Sequence, residues 1–454
     1  MSAVSGKVGA LYASKRNCLL FNAATETLTV SDPSGGELDF VAANSFSIEF
    51  WWKATSSVTD TANIIAKFAT STGYQFGTDT DKGEFIIGDG TNTPTITGTT
   101  DICDGVWHHI ICVRDVTNDE IRLYVDGARD NTAVTDSTTA TLANAADLIV
   151  TGIASDVFRL GMLRIYNSAV GDADAIRLAN GAYVSDLKTY EVGSWMLFEG
   201  TGTTAVDQNG NGNDATIADA SWDTETYDSA SDEDHFAGGA SFNLTYPNVD
   251  NENFTITVDG TALTTDEYTL TPRGSVILNT APATTSVVSY QYYSMVLECG
   301  GYFNWSADVP VDEAEITTFT SGQWKEFMSI LSDWSGSAEA YWINYGHAFD
   351  TGQKLIFRLY YDEAAAKFFD GWGLIMGVSI TSPVETVVTK SVSFKGTGQF
   401  GSESTPTVPT PSASPSASAS TSVSSSPSSS PSASVSASVS ASPSASPSAS
   451  PSAS

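Results

Sequence analysis

Hydrophobic and polar residues alternate in short segments along most of the chain, and Gly, Asn, Asp and Thr separate these segments. In residues 45–53 every second side chain is apolar, which is the period-two pattern of a half-buried strand. The inward side chains of this strand are Phe46, Ile48, Phe50 and Trp52. Trp51 interrupts the alternation, so we expect its large aromatic ring on the outward, polar face.

The same alternation recurs further along the first half of the chain. The next predicted strands are 106–115, 121–127 and 157–166. In the second of these, Tyr124 faces outward, and the Asp126-Gly127 pair at its end is typical of a tight hairpin. Many short strands separated by turn residues favour an antiparallel sandwich over a parallel sheet. The predicted sandwich core is Phe46, Ile48, Phe50, Trp52, Trp107, Leu123 and Val125.

The second half of the chain is also predicted to be mainly β, with one packed helix. Residues 229–298 read as a small β module or as an extension of the region that follows. Near 322–333, within residues 299–401, apolar residues recur at the i, i+3, i+4, i+7 spacing of a helix packing face. That face consists of Trp324, Phe327, Met328 and Leu331. Thr320 begins this helix as a capping residue and Ser335-Gly336 ends it.

The C-terminal residues 402–454 differ in composition from the rest of the chain. From Thr405 onward only Pro, Ser, Ala, Val and Thr occur, so the segment has neither an aromatic ring nor a charge. Such a segment cannot bury a core. We therefore predict a disordered tail, and one sequence does not show whether its hydroxyl groups are modified.

Charge and cysteine content exclude several classes of function. The net charge of −33 arises from 53 acidic and 20 basic residues, and a surface this acidic repels nucleic acid. The four cysteines lack the spacing of a zinc site. A Cys103–Cys112 disulfide is possible, but nothing in the sequence requires it. The N-terminal sequence predicts no signal peptide, and no apolar run is long enough to predict a membrane span.

Three groups of residues invite a functional interpretation. Trp51 and Tyr124 are low-ranking candidates for stacking on a sugar ring, and cover by another part of the chain is the favoured alternative. His108 and His109 lack a nucleophile at a fixed spacing, so we expect an exposed His108, a packed His109 and no catalytic residue. Residues 207–214 resemble a calcium loop only weakly. Its candidate ligands are Asp207, Asn209 and Asn211, but a tight turn explains them better, and no cofactor is predicted.

Five motifs in order resemble the laminin-G-like, concanavalin A-like jelly roll. They are SFSIEFWWK, DGVWHHIICVRD, IRLYVDG, FRLGMLRIYNSAVGDADAIRL and the closing DQNGNGNDATIADASW. The stretch LLFNAATETLTV is similar to the opening strand of such modules. The resemblance covers about residues 19–225 and implies a two-sheet sandwich over 17–228, a fold that often binds carbohydrate.

Two other segments resemble the major tail, or tail-tube, proteins of tailed phages. These segments are MSAVSGKVGALYAS at the N-terminus and residues 300–400, which end in GVSITSPVETVVTKSVSFKGTGQF. The resemblance implies one tail-tube-like domain that is split: residues 1–16 supply its first segment, and the sandwich is inserted before the chain returns near 299. The size of this insertion departs from the family pattern, so an accessory tail protein stays an alternative to the tube itself.

The leading functional hypothesis is a non-enzymatic structural protein of a phage virion. The chain would assemble in the host cytoplasm with itself, as rings or a tube, and with other tail proteins. The sandwich would be displayed outward and could bind host-surface carbohydrate. The alternative is a carbohydrate-binding surface adhesin with the tail as its stalk, against which the missing signal peptide counts. A glycan-degrading enzyme has no supporting motif.

Overall fold

The computed structural model describes most of the chain up to residue 402. The described residues are 4–6, 10–12, 17–54, 61–154, 156–179, 185–224, 227–235, 239–245, 248–293, 302–315, 327–341, 351–362, 367–381 and 389–402. They belong to one compact unit, Met1–Thr407. The predicted disordered tail lies outside them, apart from its first residue. No helix among them is long and apolar enough to cross a membrane.

The protein is mainly β, and its first half is a jelly-roll sandwich, as the sequence predicted. After the N-terminal strands β1 (Val4–Gly6) and β2 (Ala10–Tyr12), the sandwich consists of β3 (Cys18–Phe21), β4 (Thr27–Val30), β5 (Phe46–Ala54), β6 (Thr61–Ala69), β7 (Thr72–Asp79), β8 (Lys82–Asp89), β9 (Thr95–Asp101), β10 (His108–Asp115), β11 (Glu120–Val125), β12 (Ala128–Arg129), β13 (Val134–Thr135), β14 (Leu148–Thr151), β15 (Phe158–Tyr166), α1 (Asp172–Ala179), α2 (Ser185–Lys188), β16 (Glu191–Trp195), β17 (Thr204–Ala205), β18 (Ala215–Ala218) and β19 (Ser221–Asp223).

Two antiparallel sheets form this sandwich. The first sheet has the order β12-β11-β10-β5-β15-β3-β19, with β13 beside β11 and β16 beside β15. The second sheet has the order β17-β18-β4-β14-β6-β7-β8-β9. Their inner faces enclose the main hydrophobic core. This core contains six of the seven predicted core residues, namely Phe46, Ile48, Phe50, Trp52, Leu123 and Val125.

The outward face of the first sheet is covered as well, so β5 and β10 are buried along their whole length. Ala175 and Leu178 of α1 pack against Ile111 and Val113 of β10 in one small cluster. A second cluster joins Trp107, the seventh predicted core residue, to Cys18, Trp51, Met162 and Met196. No disulfide joins Cys103 to Cys112, so the bond that the sequence left as a possibility does not form.

A small β module follows the sandwich. Its strands are β20 (Asp228–His235), β21 (Ser241–Asn243), β22 (Val249–Val258), β23 (Thr261–Ala262), β24 (Tyr268–Leu270), β25 (Ser275–Leu278) and β26 (Ser286–Tyr292). They form the sheets β20-β26-β22-β23 and β21-β25-β24. The core of this module includes Ile356 and Trp372 from the C-terminal region, and Arg273 pairs with Asp370 at 2.8 Å. The module is therefore packed against the C-terminal sheet.

The C-terminal region forms a sheet that includes the N-terminus of the chain. Its strands are β27 (Tyr302–Asp308), β28 (Val311–Glu315), β29 (Phe327–Ser332), β30 (Ser335–Tyr341), β31 (Lys354–Asp362), β32 (Lys367–Thr381), β33 (Thr389–Gly396) and β34 (Gly401–Ser402). The sheet has the strand order β1-β27-β30-β33-β32-β31-β2, with β34 beside β32, and β28 and β29 pair with each other in a separate two-stranded sheet. The sandwich is thus inserted between two parts of one sheet.

The two N-terminal strands require this sheet to curl. Strands β1 and β2 stand at opposite ends of the strand order, and in a flat sheet six inter-strand spacings would separate them by about 29 Å. The four Cα–Cα steps from Gly6 to Ala10 span at most about 14 Å. The edges of the sheet must therefore approach each other, and the N-terminal segment bridges β27 and β31.

The predicted helix near 322–333 is wrong where the structure describes it. Phe327, Met328 and Leu331 lie in β29, which pairs with β28 in an antiparallel ribbon. The spacing of so few apolar residues does not distinguish a helix from a strand. The backbone hydrogen bonds that β28 makes with β29 favour the strand. The predicted stop at Ser335-Gly336 is the beginning of β30. Trp324 lies outside the described residues.

A buried ion pair joins the sandwich to the small module. Lys53 Nζ of β5 lies 2.8 Å from Asp228 Oδ1 of β20, and both side chains are almost fully buried. Asp228 Oδ2 also accepts a hydrogen bond from the backbone N–H of Trp107 at 3.1 Å. The carboxylate of Asp228 therefore holds two strands of the first sheet to the beginning of the next region.

Removal of this carboxylate should strongly destabilise the protein. We expect Asp228→Ala to lower the free energy of unfolding by about 3–5 kcal/mol, because the charge of Lys53 would stay buried without its partner. Urea denaturation followed by tryptophan fluorescence measures the loss. The matched control is Asp333→Ala, which breaks the exposed pair with Lys395 and should cost only about 0–1 kcal/mol. Equal losses in the two variants would contradict this account.

Candidate functional site

One residue from each strand of the second sheet lies in a single row on its outward face. Strand pairing places these residues side by side across the whole sheet. In order from β17 to β9 they are Thr204, Thr216, Thr29, Ile149, Ala66, Gln75, Ile86 and Thr95. At least one of the two residues that flank each of them along its strand belongs to the core between the sheets. Because side chains alternate along a strand, the row faces away from that core.

Exposure changes along this row in a way that indicates a groove. The terminal residues Thr204 and Thr95 are exposed, the positions between each end and the centre are exposed or half-buried, and Gln75 is only 5% exposed. The floor is therefore deepest at β7, and we call this feature the groove. In contrast to the first sheet, no hydrophobic cluster among the described residues covers this face.

The side chain of Gln75 carries a hydrogen-bond acceptor that lacks a partner. Its Oε1 atom is buried and has no hydrogen-bond partner. Its neighbours along β7 on the same face are Gly73 and Gly77, and a side-chain carbon added at Gly73 would lie 2.6 Å from Asn144 Nδ2, so that position is already occupied. A buried acceptor without a partner costs about 1–3 kcal/mol. Because Oε1 is shielded from solvent, a ligand can donate a hydrogen bond to it only after the Gln75 side chain turns outward; that bond would then recover part of this free energy.

Apolar surface and hydroxyl groups surround this acceptor. Ala66 and Ile86 flank Gln75 on the neighbouring strands. Phe68, two residues after Ala66 on β6, is a half-buried aromatic on the same face. A side-chain carbon added at Gly88 would lie 3.1 Å from the Phe68 ring, so the ring extends over β8. The groove thus combines short apolar side chains, one aromatic ring and threonine hydroxyls.

The structure does not place the two predicted stacking residues on an open surface. Trp51 is 3% exposed and Tyr124 is 0% exposed. The ring of Trp51 packs 5.1 Å from that of His109, and the Tyr124 hydroxyl donates to Asp172 Oδ1 of α1 at 2.7 Å. Both lie on the outward face of the first sheet, as the alternation predicted. The structure agrees with the favoured alternative, cover by another part of the chain, because α1 and the segment around Met196 lie over that face.

His109 belongs to a buried ionic network on the covered face. Glu49 accepts hydrogen bonds from Arg164 at 2.7 Å and from Tyr166 at 2.6 Å, and it lies 2.9 Å from His109 Nε2. Burial acts to raise the pKa of Glu49, but Arg164, His109 and Tyr166 together lower it to about 2. The carboxylate is therefore ionised and neutralised internally, which makes this network structural.

The residues of the weak calcium candidate are occupied by the turn itself. The carboxylate of Asp207 accepts the backbone N–H groups of Ser194, Asn209 and Asn213. Burial raises the pKa of Asp207, although these hydrogen bonds oppose the shift. The Asn211 side chain donates to a backbone carbonyl 3.2 Å away. Within the described ranges, no three His, Cys, Asp or Glu residues are arranged to hold a metal ion.

Sequence reasoning missed the groove because its residues have no local signature. Gln75 is one polar residue in an ordinary strand, and Phe68 follows a run in which Ile64 and Ile65 are both buried. Their adjacency depends on the register between β6, β7 and β8. No strand was predicted over residues 61–89, so neither the outward positions of β6, β7 and β8 nor the order in which these strands pair could be predicted.

The comparisons with known proteins agree with this fold. Residues 23–175 match the family model of the concanavalin A-like lectin/glucanases superfamily. The sandwich therefore has the lectin-like fold that the sequence motifs predicted, while no comparison shows a phage tail-tube family. Among curated proteins, none is significantly similar to this chain in sequence.

Several solved structures are similar at low identity. A Bacteroides ovatus ATCC 8483 protein described as carbohydrate-binding is 13% identical with a TM-score of 0.36, and the match covers 46% of this chain and 60% of that one. The binding domain of Paraclostridial Mosquitocidal Protein 1 is 10% identical with a TM-score of 0.33, and 87% of each chain is covered. A heptameric pentraxin from Limulus polyphemus is 10% identical with a TM-score of 0.31, covering 45% and 97%.

His108 is buried between two carboxylates, so the expectation of an exposed His108 is wrong. Its Nδ1 lies 2.8 Å from Asp126 Oδ2 and its Nε2 lies 3.2 Å from Asp104 Oδ1. Burial acts to lower the pKa of His108, but the hydrogen bond and charge of Asp126, together with the charge of Asp104, raise it above 6.5. Protonated His108 thus joins the β11–β12 turn to the loop before β10.

This arrangement predicts a pH-dependent stability. The contribution of His108 should be complete below the pKa of an unfolded histidine, about 6.5, and should disappear as the pH rises through the raised folded pKa. As the pH rises from about 6.5 through the raised pKa of folded His108, the free energy of unfolding of the wild type should fall relative to that of His108→Gln. Urea denaturation at a series of pH values measures both. Parallel curves for the two proteins would contradict the assignment.

Proposed function

We propose that the lectin-like sandwich binds carbohydrate in the groove of its second sheet. The observation that carries this proposal is the row of threonine hydroxyls and short apolar side chains around Gln75, on a sheet face that no hydrophobic cluster among the described residues covers. A sugar hydroxyl is a suitable donor for a neutral amide oxygen. Ile86 and Phe68 offer apolar surface to the C–H groups of a sugar ring, and the threonine hydroxyls can donate to or accept from its hydroxyl groups.

Replacement of Gln75 by a similar apolar residue tests this proposal. Gln75→Leu should weaken glycan binding about tenfold, which corresponds to about 1.4 kcal/mol. The same variant should fold at least as stably as the wild type, because it removes a buried acceptor that has no partner. Glycan-array screening identifies a ligand, and calorimetry with that ligand measures both proteins. Gln291→Leu, on β26 of the small module, is the matched control and should bind normally.

Unchanged affinity of Gln75→Leu for a glycan that the wild type binds would contradict the location of the site. Loss of binding together with loss of the folded state would also count against it, since the substitution is expected to stabilise the sandwich. The protein is proposed to be non-enzymatic, so an oligosaccharide recovered from the complex should be intact.

We further propose that the chain is a structural protein of a tailed-phage virion that displays this sandwich. Two observations support the proposal. The resemblance to tail-tube proteins lies at residues 1–14 and 300–400, and β1 and β2 pair with strands of that same C-terminal region. A tail-tube-like domain that is split by an outward insertion would account for both the resemblance and the strand pairing. The second candidate function is a carbohydrate-binding adhesin, which would bind its ligand in the groove without assembling into rings or tubes.

Assembly of the purified protein distinguishes these candidates. At high concentration we expect rings or tubes by electron microscopy, because sheet edges pair readily between subunits. Deletion of residues 1–12 should abolish them, since it removes the strands that bridge β27 and β31. A full-length chain that stays monomeric at every concentration would contradict the virion proposal and leave carbohydrate binding unaffected.

A further inference from the structure

We infer that the ammonium group of Lys67 is a built-in cation that ties two loops of the sandwich together, so that glycan binding in the groove needs no divalent metal ion. The statement about binding rests on the proposed function, whereas the statement about the loops does not. The two segments are the β4–β5 loop, residues 31–45, and the β13–β14 loop, residues 136–147.

Four oxygen atoms surround the ammonium group. Lys67 Nζ lies 2.6 Å from Asp32 Oδ1 and 3.2 Å from Asp39 Oδ1, both of the β4–β5 loop. It donates hydrogen bonds to the backbone carbonyls of Asn144 and Ala146, in the β13–β14 loop, at 2.7 Å each. Carboxylate and backbone carbonyl oxygens are the ligands that Ca²⁺ takes in proteins. The ammonium group therefore lies in a cage of oxygens of the kind that holds Ca²⁺ elsewhere.

The ammonium group is buried, and the cage carries an excess of negative charge. Lys67 is 1% exposed, and a cation in such a position is stable only with close anionic and hydrogen-bonding partners. Removal of the ammonium group would leave two carboxylates and two carbonyls around one space. A divalent ion would neutralise both carboxylates. The side chains of Asp32 and Asp39 are 30% and 25% exposed, so an ion from solution can reach the cage.

A second buried cation ties the same two loops together. Arg114 of β10 is also 1% exposed. Its guanidinium group donates to the carbonyls of Val41, Ala42 and Asn44 in the β4–β5 loop. The same group donates to Asp136 Oδ2, in the β13–β14 loop, at 2.7 Å. Side chains of the protein thus supply the positive charge at both of these junctions, which supports the same interpretation of Lys67.

The β13–β14 loop reaches the border of the groove. The Asn144 side chain donates to the backbone carbonyls of Thr72 at 3.1 Å and Lys67 at 3.3 Å. A side-chain carbon added at Gly73 would lie 2.6 Å from Asn144 Nδ2. Gly73 is two residues before Gln75 on the outward face of β7. Because Lys67 holds the carbonyl of Asn144, it is a positioning residue for this border of the groove.

The first test measures the wild type with and without metal ions. We expect the urea midpoint of the full chain to be the same in EDTA and in millimolar Ca²⁺, because Lys67 already supplies the cation. Its affinity for a glycan identified by the array should also agree within about twofold in the two solutions. A midpoint that falls in EDTA and recovers with Ca²⁺ would overturn the inference.

Two substitutions of Lys67 provide the matched comparison. Lys67→Ala removes the ammonium group and leaves room in the cage, so its urea midpoint should be low in EDTA and should rise with added Ca²⁺. Lys67→Met also removes the charge, but its longer side chain fills the cage, so Ca²⁺ should not restore its midpoint. Weak binding of Ca²⁺ to the acidic surface affects both variants alike, so the difference between them reports on the cage.

The outcomes separate the inference from the proposed function. Equal responses of Lys67→Ala and Lys67→Met to Ca²⁺ would overturn the inference. If Lys67→Ala is unfolded in EDTA, we expect Ca²⁺ to recover its folded state, as measured by tryptophan fluorescence, and a chain that stays unfolded also overturns the inference. Glycan binding by the wild type that is lost in EDTA overturns the statement about binding alone. If the midpoints behave as expected but no glycan binds, the proposed function fails and the built-in cation stands.

Discussion

The first sheet of the sandwich is buried on both faces, and much of the rest of the structure depends on this constraint. A carboxylate on a sheet with two covered faces must be neutralised within the protein, which explains why Glu49 is enclosed by Arg164, His109 and Tyr166. Burying a carboxylate without such partners would cost several kcal/mol. Because α1 and the segment around Met196 cover the first sheet, we propose the outward face of the second sheet as the one that binds a ligand.

The alternation of residues predicted the sandwich and most of its core, because a period of two depends only on neighbouring residues. It assigned Trp51 and Tyr124 to the outward face but could not say what lies over that face. The cover of Tyr124 comes from α1, about fifty residues later in the chain, and that of Trp51 includes Met196. The helix predicted at 322–333 is wrong for a similar reason, because its local pattern does not show the distant partner strand. The strand β28 supplies the hydrogen bonds that make Phe327–Ser332 a strand.

The groove could not be predicted from local sequence at all. Thr216 and Gln75 are distant in the chain, and only the strand order brings them into one row. The split C-terminal domain was inferred from a resemblance, and the pairing of β1 with β27 and of β2 with β31 gives a physical reason to treat these two strands as part of that sheet. In both cases the decisive information is which strands are neighbours, which is a property of the whole fold.

Hydrogen exchange measured by mass spectrometry, with and without a bound oligosaccharide, tests the central claim most directly. A ligand in the groove should slow exchange in β6, β7 and β8 around Ala66, Gln75 and Ile86, with a weaker effect toward β4 and β14. The C-terminal sheet should exchange at the same rate in both samples. Protection confined to the first sheet, to the turn at 207–214 or to the C-terminal region would contradict the assignment of the groove as the binding site.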